Sequence, residues 1–234
     1  MRGPATVLAV VPARGGSKGI PRKNLADLGG VSLVRRAVEL ALSLPWIDMT
    51  VLSTDDEEIA GEGRKAGIEV PSLRPDELAT DVASGYSVWR HAHLDAEARA
   101  GRTYDLAVLI QPTSPFRRAE DVEACADLVV GGAFESAVTV SPTPAHFTPE
   151  KTMTLTRLGA VKPYLSVDQF QPTRQLIPTY YYLNGICYAA RRDVIINREH
   201  VFGNKTGAVV IDRRLVNIDD PFDLDLARWL WERT

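Results

Sequence analysis

Cysteine is scarce in this sequence. Its 234 residues hold two, Cys125 and Cys187, far apart and without paired spacing. That excludes a disulfide framework and fits two small buried hydrophobes, kept reduced in a cytoplasmic protein. No stretch approaches the ~20 apolar residues that span a bilayer, so no membrane attachment is expected. The N-terminus offers one arginine and a short apolar run before Pro12, too little for a signal peptide. Histidine is sparse too. His91 and His93 stand two apart in a predicted helix and face different ways, while His146 and His200 are isolated, so nothing points to a zinc site. Positive charge is not in excess: 27 basic against 30 acidic side chains argue against a generic nucleic-acid binder. With 45% apolar and 24% charged residues, disorder, collagen and coiled coil are excluded, and the length suits a single domain over 1–234.

What charge there is lies unevenly. The first 26 residues contain Arg2, Arg14, Lys18, Arg22 and Lys23 and no acid, whereas residues 217–226 contain Asp219, Asp220, Asp223 and Asp225 and no base. Between them, strand and helix patterns alternate. Valine-rich apolar runs at 6–12, 49–53 and 106–110, with others at 68–71, 136–140, 184–190 and 208–211, read as strands. Helical spacing marks 32–44, 57–66 (capped by the Thr54-Asp55-Asp56 turn), 84–99, 119–130 and 221–231. The alternation predicts an α/β fold: an open, mostly parallel sheet with helices on both faces, whose ligands sit beyond the carboxyl ends of the strands. The rhythm breaks at 141–182, a Pro-, Thr- and Gln-rich stretch too long to be an idle loop. It reads as a protruding arm with short strands that pairs with a second subunit, because Phe147, Tyr164, Phe170 and Tyr180 to Tyr182 call for burial.

The segment from Ala13 to Asn24 follows the first strand. Gly15, Gly16 and Gly19 allow close backbone approach to a ligand, Arg14, Lys18, Arg22 and Lys23 surround them with charge, and Ser17 adds a hydroxyl. This is a polyphosphate cradle, but neither a Walker A loop nor G-x-G-x-x-G. A solvated basic turn is the alternative.

The run Ala13-Arg-Gly-Gly-Ser-Lys-Gly-Ile-Pro-Arg-Lys-Asn24 resembles the nucleotide-binding signature of the acylneuraminate cytidylyltransferases, or CMP-sialic acid synthetases. Further motifs follow in the family's order and span nearly the whole chain: Val51 to Asp55, Leu73 to Asp81, Gln111 to Arg117, Arg174-Gln175, Asn184-Gly185 and Asn217 to Leu224. The resemblance implies a fold like that of nucleotide-diphospho-sugar transferases, with CTP and an acid sugar as substrates; a homodimer is expected from the arm. The sugar's anomeric hydroxyl would attack the α-phosphate of CTP and release pyrophosphate. It also implies that Ala13, Arg14, Ser17, Lys18, Lys23, Asn24, Arg74 and Ser84 contact the nucleotide, with Arg14, Lys23, Arg174 and Asp219 as catalytic groups. Gln111, Arg174, Gln175 and Asn184 fall at the family's sugar positions. Three of these have a plainer reading: Gln111 as a turn cap, Arg174 as a rim ion pair, Asn184 as a turn residue.

Two departures stand out. The family's paired metal-binding aspartates are here Asn217 and Asp219, so Mg²⁺ (or Mn²⁺) would meet one carboxylate and one neutral amide oxygen. Asp220 is expected to cap the helix at Pro221. The tyrosines at 180–182 replace an arginine and proline of many sialic-acid members, which points to a deoxy or diacetamido relative of sialic acid. An eight-carbon keto-deoxy acid as acceptor, or a catalytically weak CTP- or CMP-sugar-binding protein, are the competing readings.

Overall fold

Six strands share one sheet: β1 (Val7–Pro12), β4 (Met49–Ser53), β5 (Leu106–Leu109), β6 (Ser136–Pro142), β9 (Tyr181–Arg191) and β10 (Thr206–Val210). The small hairpins β2 (Asp27–Leu28) with β3 (Val31–Ser32), and β7 (Met153–Leu155) with β8 (Val161–Pro163), lie outside it. The computed structural model describes residues 5–166 and 173–233. The strand order is β10-β6-β9-β5-β1-β4. β1 runs parallel to β4 and β5, and β10 parallel to β6; β9 is inserted antiparallel between β5 and β6. The expected open, mostly parallel α/β sheet is therefore present.

Alternation along β1 decides how the faces are covered. Val7, Ala9 and Val11 pack with Val34 and Val38 of α1 (Leu33–Leu42), Ile59 of α2 (Glu57–Lys65) and Val122 and Cys125 of α4 (Ala119–Val130). Leu8 and Val10 turn the other way, onto Trp89, Ala92 and Ala96 of α3 (Gly85–Ala100) and Val194 and Ile195 of α5 (Arg192–Asn197). Each large aliphatic side chain so buried contributes roughly 1.5–3 kcal/mol. The closing helix α6 (Pro221–Trp231) rests on Leu28, Leu33, Val216 and Ile218. Asp220 caps it as expected: its carboxylate accepts the Asp223 N–H (3.0 Å), and Asp223 accepts the Asp220 N–H (3.1 Å). Asp56 caps α2 through the Glu58 and Ile59 N–H groups.

One expected strand does not form. Residues 68–71 have no regular structure, although Ile68 and Val70 are buried. Their apolar pattern covers the core beside the edge strand β4, and the Val70 carbonyl accepts from Arg64 rather than from the sheet. The arm leaves the sheet as a continuation of the β6–β9 ladder, with Ser141 opposite Tyr182 and Pro142 opposite Tyr181, and carries the β7–β8 hairpin. Phe147 (74%), Leu158 (98%) and Tyr164 (64%) are exposed on it; Phe170 lies outside the described residues. The chain exposes 12617 Å², against about 10,400 Å² for a compact monomer of this mass.

Deep on the α3 face, Glu97 takes a fork of bonds from Arg192 (2.7 and 2.8 Å), the Tyr104 N–H (3.0 Å) and a contact with His93 Nε2 (3.2 Å). The Arg192 bonds bring its carboxyl down to about 2, and burial lowers the His93 imidazole below its ordinary value. Both groups bind protons more readily once unfolded, so both contribute stability that is lost on acidification. The Glu97 part is fully present above its ordinary value of 4.5 and disappears as pH falls toward 2. Urea unfolding of Glu97→Gln against wild type is expected to show a deficit of roughly 3 kcal/mol near neutral pH that shrinks toward pH 2; a deficit independent of pH contradicts this.

Candidate active site

The loop after β1 is held by its own backbone and by acids from β4's end. Ala13 is buried, with its N–H on the Ser53 carbonyl (2.9 Å). The Gly15 N–H donates to Asp55 Oδ1 (3.0 Å), the Ser17 N–H to the Gly15 carbonyl (3.0 Å), and Asn24 Nδ2 to the Arg14 carbonyl (2.9 Å). The N–H groups of Ala13, Gly15 and Ser17 are thus committed within the protein. Gly19 has a different reason to be glycine: a Cβ there would lie 2.2 Å from the Asp219 carbonyl oxygen. From the following turn (Lys23–Leu25), Lys23 Nζ donates to the Ile218 carbonyl (2.7 Å) and to Asp219 Oδ1 (3.0 Å). The basic start of the chain and its acidic segment meet here.

A cleft of about 460 Å³ opens beyond the carboxyl ends of β1 and β5. Arg14, Lys18, Lys23 and Arg74 line it, with Ser17, Asn24, Gln111, Asp81 and Asp219. Ala83, Gly85 and Val88 also line it, so the N-terminus of α3 adds its positive dipole end. Arg74 is buried, 3.3 Å from Asp55 through Nη2, and its buried Nε has no hydrogen-bond partner among the described residues. Burial lowers the Arg74 pKa against the pull of Asp55. Asp81 pairs with Lys18 (2.6 Å) and Arg14 (3.0 Å), and the Lys18 bond keeps its carboxyl below the usual carboxylate range. Arg22, by contrast, is not part of the cradle; its guanidinium is bound to Asp56 (2.7 and 2.8 Å) and Glu58 at the start of α2.

The other wall is built around Gln111. Arg117, buried, donates to the carbonyls of Gln111 (2.7 Å) and Gly185 (3.4 Å) and to that of Ile186. Burial brings its pKa down to about 10, which leaves it a cation at neutral pH. Gly185 (φ +71°) approaches so closely that a Cβ would meet Gln111 Oε1 and Ser114 Oγ, each at 2.9 Å. That approach depends on a bulge in β9, where the register slips between Val138 and Val140. Thr139 Oγ1 stitches the bulge, donating to Asn184 Oδ1 (2.7 Å) and accepting the Cys187 N–H (2.9 Å), while Asn184 Nδ2 donates to Ser141 Oγ (3.0 Å). Asn184, expected as a sugar contact or a turn residue, is therefore buried inside a strand and shapes the wall from behind. Gln175 is exposed on the turn Arg174–Leu176 and does not line the cleft; the Arg174 side chain lies outside the described residues. Ser84 caps α3 through the Ser87 N–H (3.0 Å) between two lining residues.

Asn217 and Asp219 stand side by side, Asn217 Nδ2 donating to Asp219 Oδ2 (2.9 Å) and Ser114 Oγ donating to Asn217 Oδ1 (3.1 Å). Among the described residues no three His, Cys, Asp or Glu gather to hold a metal by themselves. One open carboxylate still meets the minimum for Mg²⁺, which is bound through one or two carboxylates together with substrate phosphates.

A family model described as cytidylyltransferase matches residues 8–215. The chain belongs to the cytidylyltransferase family. It is 32% identical to the CMP-N,N'-diacetyllegionaminic acid synthase of Legionella pneumophila subsp. pneumophila, over 97% of this chain and 96% of that protein. It is 28% identical to a pseudaminic acid cytidylyltransferase of Campylobacter jejuni, over 96% of both chains. The solved structure of a CMP:2-keto-3-deoxy-manno-octonic acid synthetase complexed with CTP shares the fold, with a TM-score of 0.70 at 20% identity, covering 98% of this chain and 99% of that one.

Sequence reasoning named most of the charged residues that line this cytidylyltransferase's cleft but missed Asp81, Asp55, Arg117 and Ser114. All four belong to the recognised motifs, yet only the tertiary contacts reveal what each holds. Asp81 is the counter-ion of Arg14 and Lys18, which an anion bound at those two cations would have to displace. Asp81→Asn is expected to lower the KM for CTP by about two- to fivefold, as fits one exposed ion-pair cluster; a raised KM would mean that Asp81 helps to hold the nucleotide.

Proposed function

We propose that this cytidylyltransferase transfers CMP from CTP to the anomeric hydroxyl of a nonulosonic acid. The observation that carries the reading is the single cleft in which four cationic side chains face Gln111 and Asp219. The hydroxyl oxygen attacks the α-phosphorus and gives its proton to water, the bond to the bridging oxygen of the β-phosphate breaks, and pyrophosphate leaves with that electron pair. Such a transfer needs alignment and charge neutralisation more than covalent chemistry. Arg14, Lys18 and Lys23 balance the charge that grows on pyrophosphate, Arg74 offers its unpartnered Nε–H to an acceptor on the nucleotide, and Gln111 hydrogen-bonds the sugar. Asp219 is the carboxylate that would hold a divalent metal; nucleotidyl transfer generally uses one, to polarise phosphate oxygens and acidify a bound hydroxyl. Arg174 keeps its assignment to the sugar's carboxylate, whose two oxygens suit a guanidinium fork.

The acceptor we assign is a diacetamido nonulosonic acid. The tyrosines at 180–182 line a groove with Pro144, Phe147 and Pro149, apart from the nucleotide cleft. The preference therefore rests on the relatives named for legionaminic and pseudaminic acids and not on a tyrosine wall. With CTP, Mg²⁺ and a panel of acid sugars, pyrophosphate release is expected to be fastest with the diacetamido acids. A clear preference for N-acetylneuraminate or an eight-carbon acid overturns the acceptor, and CTP binding without release favours the weak-binder reading that Asn217 invites. Asp219→Ala is expected to lower kcat/KM by about a hundredfold or more.

We also assign the arm to a homodimer contact, and the enzyme to the cytoplasm, where the buried free thiols Cys125 and Cys187 stay reduced. No helix among the described residues is long and apolar enough to cross a membrane. Phe147, Leu155, Leu158, Val161 and Tyr164 are all exposed on this one excursion, and clustered exposed apolar side chains mark interaction surfaces. In sedimentation equilibrium the wild type is expected at twice the 25.7 kDa chain mass and a Phe147→Glu, Leu158→Glu variant at or near the single mass. A monomeric wild type contradicts the assignment.

A further inference from the structure

Asn217 occupies a position for which the family resemblance implied a metal ligand, and its surroundings give it another task. Val216 and Ile218 are buried, and Ile218 is pinned at both backbone groups, its N–H on the Thr113 carbonyl (2.8 Å) and its carbonyl under Lys23 Nζ (2.7 Å). Asn217 and Asp219 therefore emerge together on the exposed side. A carboxylate only accepts hydrogen bonds, so the group of Asn217 that lies 2.9 Å from Asp219 Oδ2 is its NH₂. The amide oxygen then faces Ser114 Oγ at 3.1 Å, the shorter of the two acceptor contacts of that buried hydroxyl. The bonds form a directed chain: Ser114 donates to Asn217, Asn217 donates to Asp219, and Lys23 donates to the other oxygen of Asp219. The one atom with which asparagine could ligate a metal is turned toward Ser114.

We propose that Asn217 is a positioning residue for Asp219 and not a metal ligand, so that the protein supplies one carboxylate and takes up a divalent cation only together with the nucleotide's phosphates. This rests on the transferase reading for the identity of the nucleotide. A second carboxylate at 217 would bring two like charges to hydrogen-bond distance, an arrangement that calls for a cation or a proton between them. The amide removes that need. Asp219 is held in one place by two donors, with Lys23 as counter-ion, whether or not a metal is present. Because cation affinity follows the number of charged ligands, a lone carboxylate retains a divalent ion weakly until phosphate oxygens complete the shell.

Water-proton relaxation enhancement by Mn²⁺ tests this on the full chain, with and without CTP, in wild type, Asn217→Asp and Asn217→Ala. Wild type is expected to show little enhancement with Mn²⁺ alone and a strong one with Mn²⁺ and CTP. Asn217→Asp is expected to bind Mn²⁺ alone about tenfold tighter or more, a gain that a merely structural role for Asn217 would not produce. Asn217→Ala is expected to keep Mn²⁺ binding in the presence of CTP, weakened roughly threefold by the freed Asp219. Wild type binding Mn²⁺ alone as tightly as Asn217→Asp, or loss of Mn²⁺ from the CTP complex of Asn217→Ala, overturns the proposal. Failure of the transferase reading shows separately, as absence of pyrophosphate release with every acid sugar.

Discussion

Lys23 is the point on which the site depends. Its side chain is only 15% exposed, and its ammonium group is shared between the Ile218 carbonyl and Asp219. It ties the loop after the first strand to a segment almost two hundred residues later in the chain. Gly19 makes the same junction sterically possible, since its missing side chain is where the Asp219 carbonyl sits. An ammonium with little water needs its acceptors in place, so the cradle and the acidic segment are ordered by one another. The cleft's four cations each come with a carboxylate beside them: Asp81 for Arg14 and Lys18, Asp55 for Arg74 and Asp219 for Lys23.

The antiparallel β9 is the second constraint. Running against β5 and β6, it brings its N-terminal end to the carboxyl ends of those strands, where an all-parallel sheet would present the opposite end. The bulge at Thr139 then lets Gly185 press against Gln111, and Arg117 fixes the carbonyls of both. A charge buried without a carboxylate partner is costly unless carbonyls satisfy it. The same three carbonyls therefore hold Arg117 and set the wall's position. One side of the cleft is made of cations paired with carboxylates, whereas the opposite side is made of groups locked from behind.

Much of this was legible in the sequence. The valine-rich runs, the helical spacing and the acid-free N-terminal loop each report a local rule, and the sheet, its helices and the Arg14–Asn24 cradle follow them. The meeting of that loop with Asp219 was also foreseeable, since opposite charge at the two ends of an α/β chain has to go somewhere. Other features depend on contacts that no local rule carries. Arg22 looks like one more cation of the cradle, yet Asp56 and Glu58 at the start of α2 claim it. Asn184 before a glycine looks like a turn, yet the slip in the ladder puts it inside β9 facing Thr139. Residues 68–71 carry a strand's composition but pack beside an edge strand without pairing to it. Asp81 ends the Leu73 to Asp81 motif, but only the folded chain shows it resting on Arg14 and Lys18.

The central claim, that Lys23 and Asp219 act as one unit to organise the nucleotide cleft, is tested most directly by a double-mutant cycle on CTP affinity, measured calorimetrically for Lys23→Met, Asp219→Asn and the pair. The account predicts strong non-additivity, with a coupling of about 1 kcal/mol or more and a double variant that binds CTP little worse than Lys23→Met alone. Losses that simply add would contradict it, because the two side chains would then be serving the nucleotide independently.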